Sequence, residues 1–97
     1  MLLPKHRRPT HPGEILLEEF LQPLGVSQAQ FARHVNWTYA KLNEIVHEKR
    51  GITPDTAIDL AMALGTTPMF WLNLQLHYDL WEALQHKHEI EPIQVAM

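Results

Sequence analysis

Ser27-Gln-Ala-Gln-Phe-Ala-Arg-His-Val-Asn-Trp-Thr-Tyr-Ala-Lys-Leu-Asn-Glu-Ile-Val46 is the stretch whose reading decides the fold. Gln28, Phe31, Ala32 and Val35 recur at helical spacing in its first half, and Leu42, Ile45 and Val46 do so in its second. Ser27 and Thr38 stand where each helix would begin, and a hydroxyl there accepts from a backbone N–H that has no partner inside the helix. Asn36-Trp37 falls between them as a tight turn. A helix, a short turn and a second helix form a helix-turn-helix, whose second helix enters the DNA major groove. Spacing alone fits two ordinary helices of a small bundle equally well, so the flanking sequence has to decide.

Upstream, residues 1–10 hold Pro4, Pro9 and the basic run Lys5-His-Arg-Arg8 without periodicity, and read as a flexible basic arm. Pro12-Gly-Glu-Ile-Leu-Leu-Glu-Glu-Phe-Leu21 opens a helix, with proline tolerated in the first turn and Glu14 suited to the positive end of the dipole. Ile15, Leu16, Phe20 and Leu24 are its expected inner face, with Glu18 and Glu19 outside. Pro23 and Gly25 end it or disturb its last turn. Downstream, Thr53-Pro54 and Thr67-Pro68 each pair an N-cap with a proline at the first helical position. The first opens a helix with the stripe Ala57, Leu60, Ala61 and Leu64, stopped by Gly65. The second opens a last helix reaching about His86. With no strand pattern, the expectation is an all-α, five-helix domain over 11–88 and a tail over 89–97.

The last helix is too apolar for one packed face. Phe70, Trp71, Leu74, Tyr78, Trp81 and Leu84 crowd one side, while Met69, Leu72, Leu76, Leu80 and Ala83 occupy another. A helix on a single core needs an apolar stripe a little over about 100° wide, and this one is roughly twice that. The surplus predicts a homodimer, with the first set as its interface, since aromatic side chains anchor such contacts.

Composition narrows the class. The chain has 97 residues, 45% of them hydrophobic, no cysteine and a net charge of −3. That is one domain, with neither disulfides nor thiolate metal sites. No segment is long enough to cross a membrane, and no signal-peptide core follows the N-terminus, so a cytoplasmic protein is expected. Residues 1–50 carry a net +2 and residues 51–97 a net −5. A basic front and an acidic back suit two partners of opposite sign, such as DNA and a basic protein, or simply a soluble surface.

Seven histidines invite a metal reading, yet no two stand four apart and no His-Glu-x-x-His run occurs. The only serine, Ser27, is explained as a cap, and the four glycines form no phosphate-cradling loop. No metal, cofactor or enzymatic activity is expected. With Leu42, Ile45 and Val46 inward, Ala40, Lys41 and Glu44 turn outward, flanked by Tyr39 and Asn43. Lys41 suits guanine, Glu44 cytosine and Ala40 a thymine methyl. Gln28 is placed to hold a phosphate, and Lys49 and Arg50 add charge toward the backbone.

Four blocks in order carry a resemblance. Ser27-Gln-Ala-Gln-Phe-Ala-Arg-His-Val35 resembles the second helix of phage-repressor-like (XRE/Cro-CI) domains. His11-Pro-Gly-Glu-Ile-Leu16 with Glu18-Glu-Phe-Leu21, Lys49-Arg-Gly-Ile-Thr-Pro-Asp-Thr-Ala57, and Phe70-Trp-Leu-Asn-Leu-Gln75 with Tyr78-Asp-Leu80 are similar to the HigA (VapI-like) antitoxins. The resemblance covers about residues 11–84. It implies a C-terminal dimer, autorepression at an operator palindrome and neutralisation of a HigB-like toxin, a basic, RelE-like mRNA endonuclease. It places Gln28, Thr38, Tyr39, Ala40, Lys41 and Glu44 on the DNA-facing positions. A stand-alone repressor, or a toxin-binding module without DNA binding, is the alternative. The turn position that is often glycine in the family is Asn36, which tolerates the left-handed region. Where the family often has Asn-Gly, this chain has His47-Glu48. Glutamate does not enter φ > 0 cheaply, so a different path is expected for that connector.

Overall fold

A computed structural model describes residues 8–86 and 88–94. The rest of the basic arm (1–7), Lys87 and the end of the tail (95–97) lie outside the described residues. Five helices account for the regular structure among those described, with no strand.

Helix α1 runs in three continuous parts: α-helix over Pro12–Ile15, π-helix over Leu16–Leu21, and α-helix over Gln22–Leu24. The π register has a local cause. Pro23 has no N–H to donate, and in an α-helix its ring would press on the carbonyl four residues back. Widening the turn to i→i−5 bonds, as in Gln22 N–H to the Leu17 carbonyl, relieves that crowding. The wider turn also resets the helix phase. Leu16 and Leu21, five apart, are both buried, whereas Leu24, expected on the inner face, is 61% exposed. Gly25 at φ +68 then closes the helix, with Val26 N–H donating to the Leu21 carbonyl at 3.0 Å.

Helices α2 (Gln28–His34) and α3 (Tyr39–Val46) follow, then α4 (Pro54–Leu64) and α5 (Pro68–Leu84). Each begins where its cap predicts. Ser27 accepts from Gln30 N–H while the Gln30 side chain accepts from Ser27 N–H, a complete capping box. Thr38, Thr53 and Thr67 accept from the N–H of Lys41, Thr56 and Phe70. Gly65 at φ +72 ends α4.

Helix α2 packs on α3, α1 on α3 and α5, and α4 along α5. Leu16, Leu21, Leu42, Ile45, Ala57, Leu60 and Trp71 are at most 1% exposed and form the centre of the core. Each large apolar side chain among them stabilises the fold by about 1.5–3 kcal/mol. Helix α1 fits closely over α3 because residue 13 is glycine: a Cβ there would overlap the Ile45 carbonyl oxygen and lie 2.7 Å from its carbon.

Of the interface set expected on α5, Trp71 is taken up by the chain's own core. Trp71 is fully buried inside its own chain, with its indole N–H on Thr66 Oγ1 at 2.7 Å. Leu74 packs on the core, Phe70 meets Phe20 and Trp71 edge-on, and Tyr78 meets the His11 ring at 4.8 Å. Trp81 is half-buried, with its indole N–H shielded and unpartnered among the described residues. Leu84 and Phe70 of the set are exposed, at 58% and 39%. Met69, Leu76 and Leu80, together with Leu84, form an outward aliphatic stripe. The larger aromatic face of α5 fills the gap between α1 and α4, which leaves the aliphatic face outside.

Candidate nucleic-acid interface

The turn between α2 and α3 is made by Asn36 at φ +60, with Trp37 N–H donating to the Ala32 carbonyl at 2.8 Å. Asparagine enters this region at lower cost than most residues. The inward residues of α3, Leu42, Ile45 and Val46, are buried as expected. Tyr39 and Ala40 are therefore exposed at its N-terminal end, and Lys41, Asn43 and Glu44 are half-exposed. Thr38 is exposed too; its hydroxyl accepts from Lys41 N–H and keeps its own hydrogen for an outside acceptor.

Most of these polar groups already have a partner. The Lys41 ammonium lies 4.5 Å from the centre of the Trp37 ring. Such a contact holds a long side chain with about 0.5–1 kcal/mol at an exposed site. The ring is itself fixed, because Trp37 Nε1–H donates to Asp59 of α4 at 2.9 Å. Asn43 donates to Gln28 Oε1 at 3.3 Å, tying the start of α2 to the middle of α3. Arg50 reaches back to Glu44 at 2.7 Å. Arg33 and Lys49 are exposed. Gln28, Lys41, Asn43, Glu44 and Arg50 are thus joined by contacts with each other or with the turn.

The connector after α3 departs from expectation. Glu48 stands at φ +62, with its N–H on the Ile45 carbonyl at 3.1 Å and Lys49 N–H on the Glu44 carbonyl at 2.8 Å. The chain keeps the left-handed closure that glycine makes easily, and glutamate bears strain of about 1–2 kcal/mol to do so. What it gains is visible. The Glu48 carboxylate pairs with Arg8 at 3.4 Å, and Arg8 also donates to Tyr78 Oη at 3.4 Å, its guanidinium 5.5 Å from that ring.

Beside Tyr78, His11 is 3% exposed and its Nδ1 accepts from Gly13 N–H at 2.9 Å, so the imidazole is the N-cap of α1. Burial holds its pKa below the usual 6.5, with Arg8 adding to that and Glu48 opposing it. Burial likewise raises the Tyr78 phenol above 10.0. Sequence reasoning missed this cap because histidine is not a common N-cap; its place immediately before Pro12 was the available signal. It also missed the Trp37–Lys41 contact, because Trp37 lies in the turn before the first helical residue, where helix spacing does not apply. Among the described residues, no three His, Asp or Glu side chains gather as a metal set. No helix among them is long and apolar enough to cross a membrane.

An outward second helix with polar groups arranged across its exposed side, set on its partner by a left-handed turn, defines a helix-turn-helix DNA-binding protein. Residues 17–72 match the helix-turn-helix family model. The chain is 47% identical to virulence-associated protein I of Dichelobacter nodosus, over 86% of this chain and 77% of that protein. It is 35% identical to antitoxin HigA-1 of Vibrio cholerae, over 94% and 90%. A solved structure of Pseudomonas aeruginosa antitoxin HigA with the higBA promoter superposes with a TM-score of 0.82 at 44% identity, covering 90% of this chain and 100% of that one. The chain belongs to the helix-turn-helix family, in its HigA (VapI-like) antitoxin group.

Proposed function

We propose that this protein is the antitoxin of a type II toxin–antitoxin module, binding its own operator to repress the operon and neutralising a HigB-like mRNA endonuclease. The observation that carries the reading is the fold shared with an antitoxin solved on its promoter, at 44% identity over 90% of the chain. Gln28, Thr38, Tyr39, Ala40, Lys41, Asn43, Glu44, Lys49 and Arg50 form the DNA-facing surface. The protein acts in the cytoplasm, needs no cofactor and is not an enzyme. Two copies pair through the outward aliphatic stripe of α5, setting one α3 in each half-site of a palindrome about 34–36 Å apart. The basic toxin meets acidic surface, either on the C-terminal half or on the Glu14, Glu18 and Glu19 side of α1.

A mobility-shift assay on the module's own promoter tests this, with Lys41→Ala and Gln28→Ala beside the wild type. A shift that both substitutions weaken supports operator reading, and the absence of any shift at low salt refutes it. Co-expression with the adjacent reading frame followed by co-purification tests the toxin; separation of the two chains refutes that part.

A further inference from the structure

Glu44 is an anomaly on a surface meant for DNA. A carboxylate there repels phosphates, and it also occupies one of the few cations available. Its Oε1 sits 2.7 Å from Arg50 Nη2, with the two side chains 44% and 47% exposed. Arg50 comes from the connector beyond α3, so the pair spans from the helix's outward side to the segment that follows it. An ion pair this open to water is weak and exchanges partners readily.

We infer that Glu44 and Arg50 form a partner-exchange device that lets Arg50 bind a DNA phosphate at the operator and withholds it elsewhere. This rests on the operator-reading role given to α3 above. Where the major-groove edge offers a cytosine amino group, Glu44 accepts from it. Arg50 is then released, and its guanidinium takes a backbone phosphate. Adenine also presents an amino donor there, so what decides is the base facing Glu44: opposite the acceptors of guanine or thymine the carboxylate has nothing to gain and keeps Arg50. The pair therefore removes a cation from sequence-independent binding without removing it at the chosen site. Neighbouring geometry supports the same economy of charge, because Lys41 is held on the Trp37 ring and Arg8 on Glu48. Arg50 and Lys41 are thus restrained on this surface, whereas Lys49 is exposed.

Fluorescence anisotropy with an operator duplex and a scrambled duplex of equal length, over a series of salt concentrations, reads the device directly. Glu44→Gln keeps an acceptor oxygen but no charge. It is expected to tighten binding to the scrambled duplex and steepen its log K against log salt slope by about 0.9, the value for one phosphate contact. At the operator the bond to the amino group loses its charge and affinity does not rise, so the ratio of the two affinities falls, by up to about five-fold from the release of Arg50 out of its exposed ion pair. Arg50→Ala alone should weaken operator binding and spare scrambled DNA, and in the Glu44→Gln background it should cancel the scrambled-DNA gain. A Glu44→Gln variant that changes both affinities by one factor overturns the inference, as does an Arg50→Ala variant that weakens scrambled-DNA binding in the wild-type background. A wild-type chain with no operator preference overturns the operator reading itself, which is a distinguishable result. Thermal melts should be unaltered by either substitution, since both side chains are exposed.

Discussion

Gly13→Ala is the sharpest test of how the recognition helix is seated. The added methyl would overlap the Ile45 carbonyl oxygen, lie 2.7 Å from its carbon and come 3.2 Å from His11 Nδ1. Carbon atoms rest about 3.5–4.0 Å apart, so α1 and α3 must separate by roughly 1 Å. Backbone, not a flexible side chain, has to move. A gap of that size forfeits a quarter to a half of the attraction across it, and the contact includes the fully buried Leu16 and Ile45. Overpacking of this kind costs about 1–3 kcal/mol, with the separated core contacts adding to it. Alanine's advantage over glycine within a helix offsets about 1 kcal/mol. The expected net loss is about 2–3 kcal/mol, a fall in Tm of the order of 10–20 °C for a chain this short. Urea unfolding and thermal melts at one fixed protein concentration measure it. Operator affinity should fall as well, because α3 is displaced without any change at its DNA face. A variant as stable as the wild type would show that the α1–α3 contact is not tight, and the seating argument would fail.

Three further outcomes follow from the same structure. The His11 ring accepts from Gly13 and its folded pKa lies below 6.5, so on acidification the unfolded chain takes up the proton first. Stability is therefore complete above pH 6.5 and is lost as pH falls through the folded value; urea midpoints between pH 7.5 and 5 should show this slope, and His11→Asn should flatten it. Glu48→Gly should raise stability by up to about 1 kcal/mol, the relief of left-handed strain exceeding the loss of an exposed ion pair and the greater freedom of glycine in the unfolded chain. Destabilisation in urea would mean that the Arg8 contact outweighs the strain. Leu76→Glu with Leu80→Glu should shift sedimentation from dimer to monomer, whereas an unchanged sedimentation coefficient places the interface elsewhere.

The sequence made helix starts legible because each depends on a hydroxyl and a local turn: Ser27, Thr38, Thr53 and Thr67 all cap as expected. The buried side of α3 was legible for the same local reason. Two kinds of feature were not. The phase of α1 depends on how the chain accommodates Pro23, and a pattern read at 3.6 residues per turn puts Leu24 where Leu21 belongs. Which apolar side of α5 faces inward depends on the space between α1 and α4, so Trp71 could not be told from Leu76 by spacing. On the outward side of α3, sequence identified positions such as Lys41 and Glu44. It could not reveal that each is already engaged, since those partners meet only after the turn and the connector have folded.

The π-helical stretch of α1 makes that helix a matched pair of irregularities. Each i→i−5 turn accommodates a residue that a regular α-helix has no room for, and Pro23 supplies a ring that the same α-helix has no room for either. Deleting Glu18 would bring Leu16 and Leu21 to a spacing of four, still on one side, yet would drive the proline ring against a carbonyl. Replacing Pro23 with alanine would restore a donor and leave a surplus residue looking for a turn to occupy. Either change alone creates a defect, and the two made together would give back an ordinary helix one residue shorter.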